Sequence, residues 1–233
     1  MDTKEGQLVS RTKQLMTTHS IVQDLKLLGV VPGMTLLVHS ALSELGWVCG
    51  GPAAVILALL EALGPAGTLV MPTHSGDLSD PAKWKNPPVP DVWWEQIYAN
   101  LPAYRADLTP TRAMGVIPET FRKMEGVLRS SHPQFSFSAL GPEADGITSN
   151  HNLAHGMSEG SPLARIYDLA GSVLLLGVGH SNNTSLHLAE NRADFPGKTL
   201  TLNGAPIEVD GERQWVKFEE IDYNDKDFSQ IGS

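Results

Sequence analysis

The sequence has little of several features that define large classes of proteins. Cys49 is its only cysteine, which excludes an internal disulfide and fits a reducing compartment. No apolar run reaches transmembrane length, and residues 1–21 lack the apolar core of a signal peptide. The phosphate-loop pattern G-x-x-x-x-G-K-[ST] is also missing, so nucleotide hydrolysis is not indicated. We therefore expect a cytoplasmic protein.

Positive charge is scarce as well. The chain has 17 Lys and Arg against 26 Asp and Glu, a formal net charge of −9. Residues 205–233 contribute −5 of this, with eight acidic and three basic side chains. Such a balance argues against a nucleic-acid partner and favours tolerance of cationic ligands. We expect no membrane partner, because no apolar run is long enough to span a membrane. With 233 residues, 41% of them hydrophobic, we expect one globular domain over residues 1–233, as a monomer or homodimer.

The chain is organised around a predicted strand, loop and helix between residues 172 and 190. Val173–Leu176 is a short apolar run typical of a buried strand, and a glycine-bounded polar loop follows it. Thr184 is placed to cap the next helix, and Thr184, His187 and Glu190 share one helix face because they lie three apart. Open α/β sheets bind ligands at such strand ends. If this segment is taken alone, the more ordinary interpretation is that Thr caps the helix, His packs in the core and Glu faces solvent.

A second strand, loop and helix is predicted earlier in the chain. Met34–Val38 indicates a central strand, and Ala53–Leu63 an apolar helix with Pro52 in its first turn. The loop between them, residues 40–51, is rich in small residues. Such a loop lets backbone N–H groups approach an anion at the positive end of a helix. An ordinary glycine loop explains the same pattern equally well.

The remaining pattern completes an α/β fold, a central mixed sheet flanked by helices with a C-terminal antiparallel meander. Residues 77–111 are rich in proline and tryptophan, and we interpret them as a wall or lid over a cleft with Trp93, Trp94 and Ile97 packed on the body. A purely structural segment explains the same pattern almost equally well. Asn203-Gly204 and Asp210-Gly211 predict the two turns of a three-stranded meander. Further strands are predicted at 68–71, 127–131 and 135–137, and further helix starts at Ser20, Pro118, Pro142 and Ser161.

Six blocks of the sequence carry a family resemblance. They are LLVHSALSELGWVCGGPAAVI (36–56), LVMPTHSGDLSDPAKW (69–84), TPTRAMGVIPETFR (109–122), SSHPQFSFSALGP (130–142), EGSPLARIYDLAG (159–171) and GVGHSNNTSLHLAE (177–190). In this order they resemble the aminoglycoside N(3)-acetyltransferase family over nearly the whole chain. Members of that family continue with a further helical segment. From the resemblance we therefore expect this chain to lack that segment.

The resemblance implies transfer of an acetyl group from acetyl-coenzyme A to the 3-amino group of a 2-deoxystreptamine antibiotic, and hence antibiotic resistance. It also implies a fold other than that of the common N-acetyltransferase superfamily. The pyrophosphate motif of that superfamily is [RQ]-x-x-G-x-[GA]. In this chain Arg112 and Gly115 match it, but its last position is Ile117 instead of Gly or Ala.

An amine attacks a thioester only after losing a proton, so this chemistry needs a base with a pKa near neutrality. Histidine fits, and a carboxylate that holds the ring raises its basicity. By motif match, His187 is the base and Glu220 its carboxylate, with neighbouring Glu219 as the alternative. Thr184 would orient the amine. No covalent acetyl-enzyme is required.

The resemblance and the acidic tail together nominate the binding residues. Those expected to hold acetyl-coenzyme A are Ser40, Ser43, Gly50, Gly51, Thr73, Ser136 and Ser161. Acidic side chains expected to face the cationic antibiotic are Asp77, Glu190, Glu219 and Asp222. We expect no metal ion.

Two other functions fit parts of the sequence. A metal-dependent hydrolase could use His74, Asp77, His180, His187 and Glu190, although no H-E-x-x-H pattern is present. A non-catalytic protein could instead sequester cationic drugs through the acidic tail.

Overall fold

The computed structural model describes residues 3–231, and the strands predicted from the sequence form the centre of its fold. In chain order the elements are α1 (Lys4–Arg11), α2 (Thr18–Leu27), β1 (Thr35–Ser40), α3 (Gly51–Leu63), β2 (Thr68–Pro72), α4 (Trp94–Asn100), α5 (Val116–Phe121), β3 (Leu128–Arg129), β4 (Phe137–Leu140), α6 (Ala144–Thr148), α7 (Pro162–Asp168), β5 (Ser172–Leu176), α8 (Leu186–Arg192), β6 (Leu200–Val209), β7 (Glu212–Ile221) and α9 (Phe228–Ile231). The strands predicted at 34–38, 68–71 and 173–176 are confirmed as β1, β2 and β5, with small shifts at their ends.

Five of the described strands form one mixed sheet in the order β3-β4-β2-β1-β5. The central strand β1 runs parallel to β2 on one side and to β5 on the other, whereas β4 is antiparallel to both β2 and β3. The predicted fold class is confirmed. Because β2, β1 and β5 are parallel, the segments that follow them meet at the same edge of the sheet, where ligands bind in open α/β folds.

Each face of the sheet carries its own hydrophobic core. Along β1, Leu36 and Val38 point to the core formed with α2, α3 and α5, while Leu37 points to the core under α6 and α7. Leu188 of α8 is buried in the second core. Burying a leucine side chain fully contributes about 1.5–3 kcal/mol, so this contact fixes α8 against the sheet and with it the flanking His187.

The C-terminal sheet is a two-stranded hairpin, so the predicted three-stranded meander is wrong. Asp210 and Gly211 form the tip with φ of 52° and 80°, as a tight hairpin turn requires. Asn203-Gly204 is no turn but lies inside β6, where Gly204 pairs with Lys217. A Cβ on Gly204 would lie 2.6 Å from Trp215 Nε1, so this glycine provides room for an indole ring.

Two predicted helix caps are replaced by neighbouring residues. Thr17, not Ser20, is the N-cap of α2, and the two side chains form a reciprocal capping box. Thr184 does not cap α8, because the N-cap is Ser185, whose backbone N–H and hydroxyl both donate to Asn183 Oδ1. Ser161 is the N-cap of α7 as predicted, although its hydroxyl makes no capping hydrogen bond.

The proline-rich segment 77–111 is less irregular than the sequence predicts. It contains the short helix α4, and Trp93 is not packed on the body as expected but remains 55% exposed. Over residues 3–231 the structure contains no helix long and apolar enough to cross a membrane.

Candidate active site

His187 and Glu190 form a hydrogen-bonded pair on α8. His187 Nδ1 lies 2.7 Å from Glu190 Oε2, and the exposed fractions of the two side chains are 14% and 8%. The pair exists because residues three apart share a helix face, the spacing already noted in the sequence. It leaves Nε2 of the ring as the nitrogen available to a reacting group. Burial lowers the pKa of His187 below its usual value, and Glu190 and then Asp225 oppose that shift. A lowered pKa favours the neutral ring, which is the form that a general base requires.

A cavity of about 320 Å³ opens at His187. It lies where the segments after β2 and β5 meet the C-terminal segment, and the residues lining it are His74, Met114, Phe135, Met157, Ser181, Asn182, Asn183, Thr184, His187, Tyr223, Asp225 and Phe228. Thr184 and His187, nominated together from the sequence, share this cavity. Segment 77–111 contributes none of these lining residues, so its expected role as a wall of the cleft is not seen at this cavity.

Glu220 is not the direct partner of His187, which corrects the expectation from the motif match. Its side chain is fully buried and accepts hydrogen bonds from the backbone N–H of Gly156 at 2.6 Å and from the Tyr223 hydroxyl at 2.7 Å. Burial raises the pKa of Glu220, and these two hydrogen bonds act against that rise. Among residues 3–231, Tyr223 is the cavity-lining residue to which Glu220 is hydrogen-bonded. The alternative, Glu219, is 53% exposed and pairs with His155, 3.4 Å away.

The acidic side chain in the cavity is Asp225 rather than the nominated Asp222. Asp222 is exposed and is not a lining residue, and Asp77 forms an exposed ion pair with Arg112. Glu190, expected to bind substrate, instead holds His187. The sequence indicates an acidic tail but does not show which of its carboxylates lines the cavity, because that depends on how residues 222–228 fold back over α8.

The small-residue loop between β1 and α3 supplies none of the residues that line the cavity, but it lies next to a segment that does. Gly50 and Gly51 have φ of 88° and 58°, and Gly51 begins a 13-residue helix whose N-terminus has no side-chain cap. Ser43 and Cys49 of this loop are exposed. The loop adjoins the active site through Gly115, whose added Cβ would lie 3.7 Å from Ser40 O and whose neighbour Met114 lines the cavity.

Thr73 and Ser136 are internal, which corrects their nomination as cofactor contacts. Both side chains are fully buried, and the Ser136 hydroxyl donates to Thr73 O at 2.8 Å. The Arg129 guanidinium donates to Ser136 Oγ at 3.1 Å and to Thr73 O at 2.6 Å. These residues hold the end of β2 in place and leave no hydroxyl free for a ligand.

Several buried polar atoms at this edge of the sheet have no hydrogen-bond partner within residues 3–231. They are His39 Nε2, Ser40 Oγ, His74 Nε2, Ser161 Oγ and His180 Nδ1. Buried polar groups are normally satisfied. His74 lines the cavity and His180 directly precedes its lining residue Ser181, so the unpaired nitrogens of these two rings fit a site that takes a polar ligand. Ser40 and Ser161 were both nominated from the sequence.

The hydrolase alternative finds no geometric support. Within the described residues, no group of three or more His, Cys, Asp or Glu side chains is placed to hold a metal ion. His187 is instead engaged with a carboxylate, and His74 packs edge-on against Phe135 and Phe137, with ring centroids 5.7 and 5.3 Å away.

Comparison with known proteins identifies the family of the chain. A family model described as aminoglycoside 3-N-acetyltransferase matches residues 37–233. The chain belongs to this family. The resemblance of the six sequence blocks is thereby confirmed, and so is membership in a class of acyltransferases whose fold differs from the common N-acetyltransferase superfamily.

Relatives of this aminoglycoside 3-N-acetyltransferase family member are similar over most of their length. The SPbeta prophage-derived aminoglycoside N(3')-acetyltransferase-like protein YokD of Bacillus subtilis is 45% identical over 226 residues, covering 97% of this chain and 82% of that protein. Its crystal structure superposes with a TM-score of 0.95, covering 97% and 84% of the two chains. Aminoglycoside N(3)-acetyltransferase VIII of Streptomyces fradiae is 39% identical, covering 95% and 76%. The binary complex of AAC-IIIb with CoASH is 34% identical with a TM-score of 0.81, covering 94% and 83%.

Proposed function

We propose that this protein transfers an acetyl group from acetyl-coenzyme A to the 3-amino group of a 2-deoxystreptamine aminoglycoside, and that the reaction confers antibiotic resistance. The observation that carries the proposal is the His187–Glu190 pair at a cavity in a chain of this family. The CoASH complex of AAC-IIIb supports coenzyme A as the acyl carrier, and the name of the Streptomyces fradiae relative supports an aminoglycoside as acceptor.

The arrangement supports direct attack of the amine on the thioester. His187 Nε2 takes the proton from the amine as the new C–N bond forms, and Glu190 stabilises the resulting imidazolium. The C–S bond then breaks, and the departing thiolate recovers a proton from His187. Thr184, beside His187 in the cavity, orients the amine. The only thiol of the chain, Cys49, lies in the β1–α3 loop and takes no part.

Thiol release with acetyl-coenzyme A across a panel of amines tests the proposed function, with product regiochemistry determined by NMR. We expect turnover with 2-deoxystreptamine aminoglycosides and acetylation at the 3-amino group. Binding of these drugs without thiol release would favour the sequestering protein instead. Release with simple amines but not with aminoglycosides would overturn the proposed acceptor.

The uncapped N-terminus of α3 and the Ser40–Gly51 loop are proposed to receive the coenzyme A phosphates. We expect Gly51→Asp to weaken coenzyme A binding about tenfold, because it places a negative charge where the helix end favours an anion. Gly51→Asn is the matched control, since it has the same size and tolerates the left-handed backbone but carries no charge. Calorimetry should give a lower affinity for the Asp variant than for Asn; equal affinities would remove this loop from the phosphate site.

Asp225 is proposed to attract the cationic acceptor. Asp225→Asn should raise KM for the aminoglycoside about three- to tenfold and flatten the dependence of KM on ionic strength, since an exposed charge pair is worth about 1 kcal/mol and is screened by salt. Asp222→Asn, exposed and outside the cavity, is the matched control and should leave KM unchanged. A larger change for Asp222→Asn would return the role to the originally nominated residue.

Glu190 is proposed to set the basicity of His187. Glu190→Gln should lower the pKa of His187 further below its usual value, because the imidazolium loses an anionic partner while burial still opposes its charge. The ring signals of isotopically labelled histidine, followed by NMR against pH, measure this directly. A pKa that rises or stays constant in the variant would contradict the pairing.

A further inference from the structure

Beyond α8, one segment of the chain touches both members of the proposed catalytic pair. We define the C-terminal strap as residues 222–228, which leave β7 and run into α9. The backbone N–H of Asn224 donates to Glu190 Oε1 at 3.0 Å, while Glu190 Oε2 faces His187 Nδ1. Both oxygens of this carboxylate are therefore occupied, one of them by the strap.

The strap also packs two aromatic rings on the imidazole. The Tyr223 ring lies 4.8 Å from the His187 ring at 63°, and the Phe228 ring lies 4.9 Å from it at 56°. A helix face alone leaves a histidine free to change its side-chain torsions. These two ring contacts and the bond to Glu190 restrict the imidazole to one orientation.

Tyr223 is itself held by a buried carboxylate. Its hydroxyl donates to Glu220 Oε2 at 2.7 Å, and it accepts from Asn191 Nδ2 at 3.3 Å. The same Asn191 nitrogen donates to the backbone oxygen of His187 at 2.9 Å. Turning the tyrosine away would leave the fully buried Glu220 with one hydrogen bond to the described part of the chain, from the Gly156 N–H, while His132 Nε2 lies 3.9 Å away. The other carboxylate oxygen would be unsatisfied, and an unsatisfied buried polar group is costly.

We propose that Tyr223 is a positioning residue for the acetyl transfer, locked by Glu220 and acting on His187 through its ring. This inference rests on the proposed function. It gives Glu220 a role that does not require contact with the base. The tyrosine hydroxyl is committed to Glu220 and Asn191, so Tyr223 acts by fixing the direction in which His187 Nε2 accepts a proton. Misplacing a catalytic group by about 1 Å can cost roughly a hundredfold in rate.

The test is a double-mutant cycle in kcat with Tyr223→Phe and Glu220→Gln. Tyr223→Phe keeps the ring and removes the bond to Glu220, and Glu220→Gln removes the charge that holds the hydroxyl while keeping an acceptor for Gly156. We expect each single variant to lose about tenfold in kcat with KM for acetyl-coenzyme A unchanged, and the double variant to lose no more than the greater single loss. Tyr98→Phe is the control, because it removes another tyrosine–carboxylate hydrogen bond, to Asp80, outside the cavity lining.

Additive losses in the cycle would overturn the inference, as would a loss confined to KM or an equal loss in Tyr98→Phe. Thermal unfolding of each variant separates a global loss of stability from a local one, since only a folded variant with reduced kcat supports a positioning role. If the wild type is active and Tyr223→Phe has the same kcat, this inference is overturned while the proposed function stands. A wild type without transferase activity would overturn the proposed function and the inference with it.

Discussion

His187→Ala is expected to keep the fold and lose the chemistry. A positioned general base typically contributes about a hundred- to ten-thousand-fold, or roughly 3–5.5 kcal/mol of barrier, so kcat should fall by that factor. Coenzyme A affinity should change little, because the proposed phosphate site in the β1–α3 loop does not include this residue. Alanine is also a better helix former than histidine by some tenths of a kcal/mol, which offsets part of the lost contact.

The stability cost of His187→Ala is bounded by its surroundings. Glu190 loses its ring partner but keeps the N–H of Asn224, and losing one such partner costs about 1–3 kcal/mol. His155→Ala is the matched control, because it removes a histidine facing a glutamate at the protein surface, outside the cavity. A folded His187→Ala protein that still acetylates within a few-fold of wild type would contradict the assignment, and His74 would be the next candidate base.

Acidification is expected to unfold the protein well before its carboxylates are fully protonated. Burial lowers the pKa of His39 to about 4, of His74 to about 3 and of His151 to about 4, all from 6.5. These rings stay neutral in the fold but bind protons in the unfolded chain. The stability they contribute is therefore fully present above pH 6.5 and is lost as pH falls toward their folded pKa values.

The magnitude of this loss is comparable to the whole stability of a domain. Below the unfolded pKa of 6.5, each histidine contributes a slope of up to about 1.4 kcal/mol per pH unit, so the three together remove up to about 8 kcal/mol over the two pH units from 6.5 to 4.5. Typical stabilities are about 5–15 kcal/mol. Urea unfolding at a series of pH values measures the slope directly. His19, which is exposed, provides the control, since His19→Asn should leave the slope unchanged. A free energy of unfolding that is constant from pH 6.5 to 4.5 would contradict the burial of neutral rings.

The parts of the site that depend on local spacing were predictable from the sequence. β5, the polar loop after it and the shared face of His187 and Glu190 all follow from patterns within about twenty residues. The roles of the two acids were harder to assign. Adjacent residues of β7 point to opposite sides, so Glu219 is exposed while Glu220 is buried, and only the packing of the hairpin against Gly156 decides which.

Long-range packing also explains the other differences between prediction and structure. The Asn203-Gly204 pair resembles a hairpin turn, but its glycine is there because Trp215 of the neighbouring strand covers it. Asp225 reaches the cavity because the strap folds back over α8. No periodic pattern in the sequence of the tail predicts this fold-back. Thr73 and Ser136 lie in blocks with a family resemblance. Their hydroxyls nevertheless form hydrogen bonds inside the protein, including one from Arg129 to Ser136.

The exposed Cys49 in the β1–α3 loop has a practical consequence for measuring the reaction. It is the only thiol of the chain, so a disulfide dye that detects released coenzyme A will also react once with each enzyme molecule. The background is a stoichiometric burst that appears without substrate and scales with enzyme concentration rather than with time. The same chemistry makes Cys49 a unique attachment point: a fluorophore placed there, beside the proposed phosphate site, should change its emission when coenzyme A binds.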